Sequence, residues 1–479
     1  MQFNSYSYLG SLFCAVAIFW ALPSRLRRWY VLAISIAFYA SWSPAYVLVP
    51  VVLCAGVFYL AQKCAGGLHA RMWCWAGIAY ALVFLVGFRC HDLIGASLAA
   101  WERSFRLSPV ASVVQLGIPL GISFYTFEAI SYLIDVRQKR VTPNRFGDLL
   151  TFVMFWPHAI AGPIVRFREL APQFAFEKKF ELSLMLSGFD RLVWGLVQKN
   201  LLADPLSRFV DEGFSSQVAG ANTWLDNWFL AAAFGLQIYF DFAAYSNMAI
   251  GAAKMIGVTL PENFRFPYHA KNPSDFWQRW HITLSRWIRD YLFFPINTRF
   301  EAAPLPLYLS LLGIMALVGL WHGVGWGFVI WGLLHGCYLT AYRIWQTGRE
   351  KHAPAAKPSR LSQLMWQAGT LVAVVSAWVP FRATSLRQAA EMLHSMFFTF
   401  NPRISFSLNS YLATLLVGAV CILEPYIQSW ICKFNALAER HVRLAAANTY
   451  LLRPALYAFG LLLFMIFDGR DIQFIYFQF

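Results

Sequence analysis

Residues 319–327 read GLWHGVGWG, which sets His322 among tryptophans and glycines inside a strongly apolar run. A histidine titrates near neutrality, so it can accept a hydroxyl proton and return it. The plainer alternative is a packed ring with one backbone hydrogen bond. Three features favour chemistry: glycines that let backbone or ligand approach closely, Trp321 and Trp326 as amphipathic walls, and the cost of an ionisable group at membrane depth. Residues 276–291, FWQRWHITLSRWIRDY, form the second such stretch. At a helical step of about 100° per residue, Phe276, Trp277, Trp280, Leu284, Trp287, Ile288 and Tyr291 share an arc of roughly 120°. Gln278, Arg279, Ser285, Arg286, Arg289 and Asp290 occupy the remainder, and His281 lies at the edge of the aromatic face. A helix basic on one side and aromatic on the other lies in the membrane interface. It either anchors the chain or floors a site at which Arg279, Arg286 and Arg289 meet an anionic substrate group.

Metal chemistry is a weaker reading of the same histidines. His335 follows His322 by 13 positions, roughly 220° away on an uninterrupted helix, so the two do not share a face. His281 and His322 lack a nearby carboxylate pattern, and no HExxH, P-loop or GxSxG occurs. We therefore expect no bound metal and no resident cofactor. Asp241, in QIYFDFAAYSNMAIG, and Glu128 and Asp135, near SFYTFEAISYLID, are carboxylates inside apolar segments. Each either pairs with an Arg or Lys across a helical bundle or belongs to a proton or ion pathway, which would suit a transporter.

The elements that must hold these residues are membrane helices. Of 479 residues 58% are hydrophobic and only 13% charged, against about a quarter charged in a soluble domain. Apolar runs near 6–22, 29–43, 45–61, 72–88, 112–134, 149–165, 226–252, 303–320, 324–345, 363–380, 411–430 and 450–467 approach the length of about 20 residues that a span needs. Several are short or broken by Pro and Gly, which predicts an all-α polytopic protein of roughly ten to twelve transmembrane or re-entrant helices. GIPLG at 117–121 and AGP at 161–163 read as kinked or re-entrant backbone around a central pocket, the one setting in which such backbone is tolerated at membrane depth. Residues 1–479 form a single membrane domain, with core motifs over about 112–345. QTGREKHAPAAKP at 346–358 is the best aqueous loop, ahead of C-terminal spans over about 360–479.

The net charge of +15 belongs to Lys and Arg in short cytoplasmic loops rather than to a nucleic-acid surface. Arg25, Arg27 and Arg28 follow the first run, no charge lies near Ser43 and Pro44, and Lys63 and Arg71 follow the next run. That alternation places the N-terminus outside the cytoplasm. The first run lacks a basic n-region and is read as a retained helix. Eight scattered cysteines without a CxxC pair predict neither a disulfide framework nor a cysteine metal site.

The stretches SFYTFEAISYLID, FWPHAIAGPIVR, YFDFAAYSNMAIGAAKMIG, LPENFRFPY, SDFWQRWHITLSRWIRDYLFFP, GLWHGVGWGFVIWGLLHG and the terminal FIYFQF occur in the order seen in the membrane-bound O-acyltransferase family. The chain resembles that family over nearly its whole length, and most closely its bacterial alginate O-acetylation group. The resemblance implies that His322, in the WHG motif, is catalytic and that His281, in RWH, is the second functional position. It also implies a buried tunnel in which a cytoplasmic acyl donor meets an acceptor from the other side of a bacterial inner membrane. The expected activity is acetyl transfer from acetyl-CoA toward an exported polysaccharide such as alginate. His322 would be the general base, and His281 would orient the acceptor hydroxyl or hydrogen-bond the oxyanion. Arg279, Arg286, Arg289, Trp321 and Asp241 are the candidate substrate-binding residues. The implied partners are an extracytoplasmic esterase-like acetyltransferase, the polysaccharide and membrane lipids. D-alanyl transfer to teichoic acid from a carrier-protein thioester is the neighbouring alternative, and a transporter the unrelated one. Glu128 in place of the usual Gln, Asn247 in place of Asp, and Val136-Arg137-Gln138 in place of Val-Tyr-Arg depart from the family pattern, away from both histidines.

Overall fold

The computed structural model describes residues 3–42, 44–67, 69–90, 117–215, 222–298, 304–352, 359–466 and 474–475. Every regular element among them is helical. Among the described residues six helices are long and apolar enough to cross a membrane: Pro44–Ala65, Ala70–Arg89, Leu305–His322, Arg360–Arg382, Leu408–Ala438 and Arg443–Ile466. Five of them coincide with expected runs, and the Arg443–Ile466 helix begins seven residues before the run expected from residue 450. Runs at 226–252 and 324–345 also become long helices, Trp224–Met255 and Trp326–His352. The latter continues through the first seven residues of the expected loop at 346–358, and the rest of that loop lies outside the described residues.

By its contacts the chain falls into two compact units. One compact unit comprises Met1–Gly188 and Ala249–Pro261, and the other Phe189–Met248 and Glu262–Phe479. In the first unit the run at 149–165 is not a span. A nine-residue helix, Phe146–Met154, gives way to irregular backbone that is buried throughout residues 155–165. Such backbone survives where protein supplies its hydrogen bonds; the Trp156 N–H, for instance, donates to Ser35 Oγ at 3.2 Å. The GIPLG turn meets this stretch directly. Gly121 has φ +76°, and a methyl group there would run into the Ala159 carbonyl. Glu128 lies 3.0 Å from His158 rather than beside an Arg or Lys, and Asp135 sits between Arg140 and Arg168 at 3.4 and 3.3 Å.

In the second unit the Pro304–His322 and Trp326–His352 helices form a hairpin around the residues GVG at 323–325. Two glycines set their separation. A Cβ at Gly319 would collide with the Phe328 carbonyl, and one at Gly332 with that of Met315. Gly332→Val is therefore expected to destabilise the protein by about 1–3 kcal/mol through overpacking, read as a lower thermal midpoint in detergent.

Candidate active site

The segment expected as one interfacial helix over 276–291 is broken in the middle. Pro273–Trp277 is a five-residue helix, His281 adopts a left-handed conformation at φ +40°, and Ile282–Ile288 resumes the helix. For a non-glycine residue that conformation costs about 1–2 kcal/mol, so neighbours must enforce it. They do so from residues 263–265: the Ile282 N–H donates to the Asn263 carbonyl at 2.8 Å, and the Arg265 N–H to that of Arg279 at 2.9 Å. Tertiary hydrogen bonds here replace helical ones. The expected aromatic set is kept, but it is buried in protein: Phe276, Trp277, Trp280, Leu284, Trp287, Ile288 and Tyr291 all belong to the core.

This break aims the His281 ring inward. The ring is fully buried and meets Phe242 edge-on, with centroids 4.7 Å apart. Trp321 links it to the second histidine, at 6.4 Å from His281 and 4.8 Å from His322. His322 ends the Pro304–His322 helix and is buried against Trp331 at 5.1 Å and Phe381 at 5.4 Å. Trp331 stacks on Trp378 at 5.9 Å, and Trp378 in turn lies 5.0 Å from Trp280. The fold thus brings both predicted histidines into one aromatic cage. Burial, and then the proximity of His322, push the His281 imidazole well below the ordinary histidine range. It is neutral at physiological pH, the state in which a ring nitrogen can accept a proton.

Asn263 anchors the cage. Its Oδ1 lies 3.0 Å from His281 Nδ1 and accepts from Thr283 Oγ1 at 2.9 Å, while its Nδ2 donates to Ser246 Oγ at 3.1 Å. Sequence reasoning did not single out this residue, which entered only as part of LPENFRFPY. Trp331 was missed as well. Trp326, expected as a wall, is 72% exposed, and Trp331 replaces it because the hairpin turns Trp326 outward and Trp331 toward His322.

The remaining candidates have partners of their own or face outward. Arg279 is half-buried and pairs with Asp275 at 2.8 Å, Arg289 is exposed and pairs with Asp290 at 2.8 Å, and Arg286 is exposed. Asp241 follows the pairing alternative: it meets Lys199 Nζ at 2.7 Å and accepts the Ile475 N–H at 2.8 Å. His335 is buried beside Trp277 and Trp331 at 5.3 and 4.9 Å. The buried nitrogens His335 Nε2, Trp277 Nε1 and Trp331 Nε1 have no hydrogen-bond partner among the described residues.

Helices apolar and long enough to cross a membrane, and two buried histidines that share the Trp321 ring, frame a candidate site of membrane-protein type. The chain belongs to the membrane-bound O-acyltransferase family, whose model matches residues 93–372, more than half of its length. It is 35% identical over 387 residues to the probable alginate O-acetylase AlgI of Azotobacter vinelandii, covering 80% of this chain and 75% of that relative. It is 32% identical over 405 residues to the peptidoglycan O-acetyltransferase of Helicobacter pylori, covering 78% and 74%. The teichoic acid D-alanyltransferase of Bacillus subtilis is 29% identical over 248 residues, 49% of this chain and 61% of that protein. The protein is a multi-pass membrane O-acyltransferase.

Proposed function

We propose that this enzyme moves an acetyl group from cytoplasmic acetyl-CoA across the bacterial inner membrane for O-acetylation of an exported polysaccharide such as alginate. The observation that carries the reading is the pairing of His322 and His281 around Trp321 in a chain whose acetyl-transferring relatives match four-fifths of it. The D-alanyl-transferring relatives match only about half. In this reading ten to twelve spanning or re-entrant segments surround a tunnel that delivers both substrates to His322, and an extracytoplasmic esterase-like acetyltransferase completes delivery to the polymer.

The chemistry follows from the two rings. The acceptor oxygen bonds to the thioester carbonyl carbon while its proton passes to His322. Collapse of the tetrahedral intermediate breaks the C–S bond, and His322 returns the proton to the leaving thiolate, giving an ester and a free thiol. His281 orients the hydroxyl or hydrogen-bonds the oxyanion. In this reading Arg279, Arg286 and Arg289 are the contacts for phosphates of the donor or of lipid headgroups.

The test follows radiolabelled acetyl from acetyl-CoA in proteoliposomes holding the protein. Label on an extracytoplasmic hydroxyl acceptor supports the proposal; transfer from a D-alanyl carrier thioester alone would overturn the donor. His281→Ala is expected to slow acetyl transfer by about 10- to 1,000-fold, the range for removing one group that holds the reacting hydroxyl or its oxyanion.

A further inference from the structure

Asn263 fixes more than the position of a loop. A peptide N–H only donates, so the Asn263 side-chain atom facing the Thr283 N–H at 3.4 Å must be the oxygen. The Thr283 hydroxyl, 2.9 Å from the same atom, agrees, and the opposite end of the carboxamide finds its acceptor in Ser246 Oγ. The carboxamide therefore cannot be flipped without setting two donors face to face. Its oxygen lies 3.0 Å from His281 Nδ1, so that nitrogen must carry the hydrogen. A neutral imidazole has one N–H, which leaves the lone pair on Nε2. His281, Asn263, Thr283 and Ser246 are all buried, and the backbone clamp from the Asn263 carbonyl to the Ile282 N–H holds the ring's own residue in its left-handed turn.

We infer that Asn263 is a positioning residue that locks the tautomer of His281, so that this ring meets the reacting groups only as a hydrogen-bond acceptor at Nε2. The inference rests on the acyl-transfer reading above and deepens it. Of the two roles open to His281, accepting a hydrogen bond from the acceptor hydroxyl and donating to the oxyanion, the neutral locked ring performs only the first. The oxyanion must then be met by other donors. The same arrangement explains why a ring at this position tolerates an unfavourable backbone angle: the φ of +40° delivers Nδ1 to Asn263 and turns Nε2 away from it.

The experiment measures acetyl transfer from acetyl-CoA in proteoliposomes for wild type, Asn263→Ala, Asn263→Asp and His322→Ala, each across pH and each with its thermal midpoint. Asn263→Ala frees the tautomer and is expected to lower the turnover rate by about 10- to 100-fold, the usual effect of removing a group that orients a reacting histidine, with the KM for acetyl-CoA unchanged. Asn263→Asp keeps an oxygen at Nδ1, so it is expected to recover most of the rate at alkaline pH. The carboxylate also favours the charged imidazole; His281 then protonates at higher pH, and the acid limb of the pH profile moves upward. His322, when protonated, acts on His281 in the opposite direction. Wild-type turnover in Asn263→Ala would overturn the inference. So would equal losses in both variants that follow the thermal midpoint and leave the pH profile unmoved, because that pattern belongs to a structural role. Two controls separate the failures: no acetyl transfer by wild type overturns the acyl-transfer reading, and His322→Ala as fast as wild type removes the base role given to His322, whereas an inactive His322→Ala beside a fully active Asn263→Ala removes the tautomer lock alone.

Discussion

His322→Ala is expected to lower acyl transfer by about 100- to 10,000-fold, the contribution of a positioned general base, while the protein stays folded. The ring is held by Trp321, Trp331 and Phe381, so its loss opens a cavity as well as removing a base. His322→Gln keeps most of the volume and a polar tip but has no nitrogen that titrates near neutrality. A purely packing role would let glutamine restore what alanine loses. A catalytic role leaves both variants inactive with thermal midpoints near that of the wild type. The readout is single-turnover transfer of radiolabelled acetyl, run beside thermal unfolding in the same detergent.

The second large effect is on stability. Lys199 is buried in the second unit with Asp204 and Asp241 each 2.7 Å from its ammonium group, and it lies 4.5 Å from the ring centre of Phe474. Lys199→Met fills similar space but leaves two buried carboxylates without their counter-charge, which is expected to cost about 3–5 kcal/mol. Asp241→Asn should cost less, because Lys199 retains Asp204 and the asparagine oxygen still accepts the Ile475 N–H. A thermal midpoint that falls further for Lys199→Met than for Asp241→Asn bears this out. Equal midpoints would mean that the cluster contributes no net electrostatic stabilisation.

The helical class, most of the spanning segments and both histidines are legible in the sequence, because each depends on local quantities. A run of about 20 apolar residues must hydrogen-bond within itself in lipid, and WHG and RWH are contiguous. The irregular stretch at 155–165 was half legible: its Gly and Pro mark a break, but only packing shows that a nine-residue helix precedes it. The continuous helix over 276–291 was misread for a related reason. Periodicity identified the correct buried faces, yet it carries no information about the backbone bonds that residues 263–265 offer to 279–282, and those bonds outweigh local helix formation at His281. The pairing of Asp241 was open in the sequence because its partner Lys199 lies 42 positions away. Local patterns in the chain were thus enough to reveal the family and to single out the two candidate rings. The tertiary structure alone decided that His281 and His322 meet at Trp321, that Trp331 rather than Trp326 forms the wall, and that Asn263 holds the second ring. These are contacts between segments distant along the chain, set by how side chains fill shared space, and no local pattern encodes them.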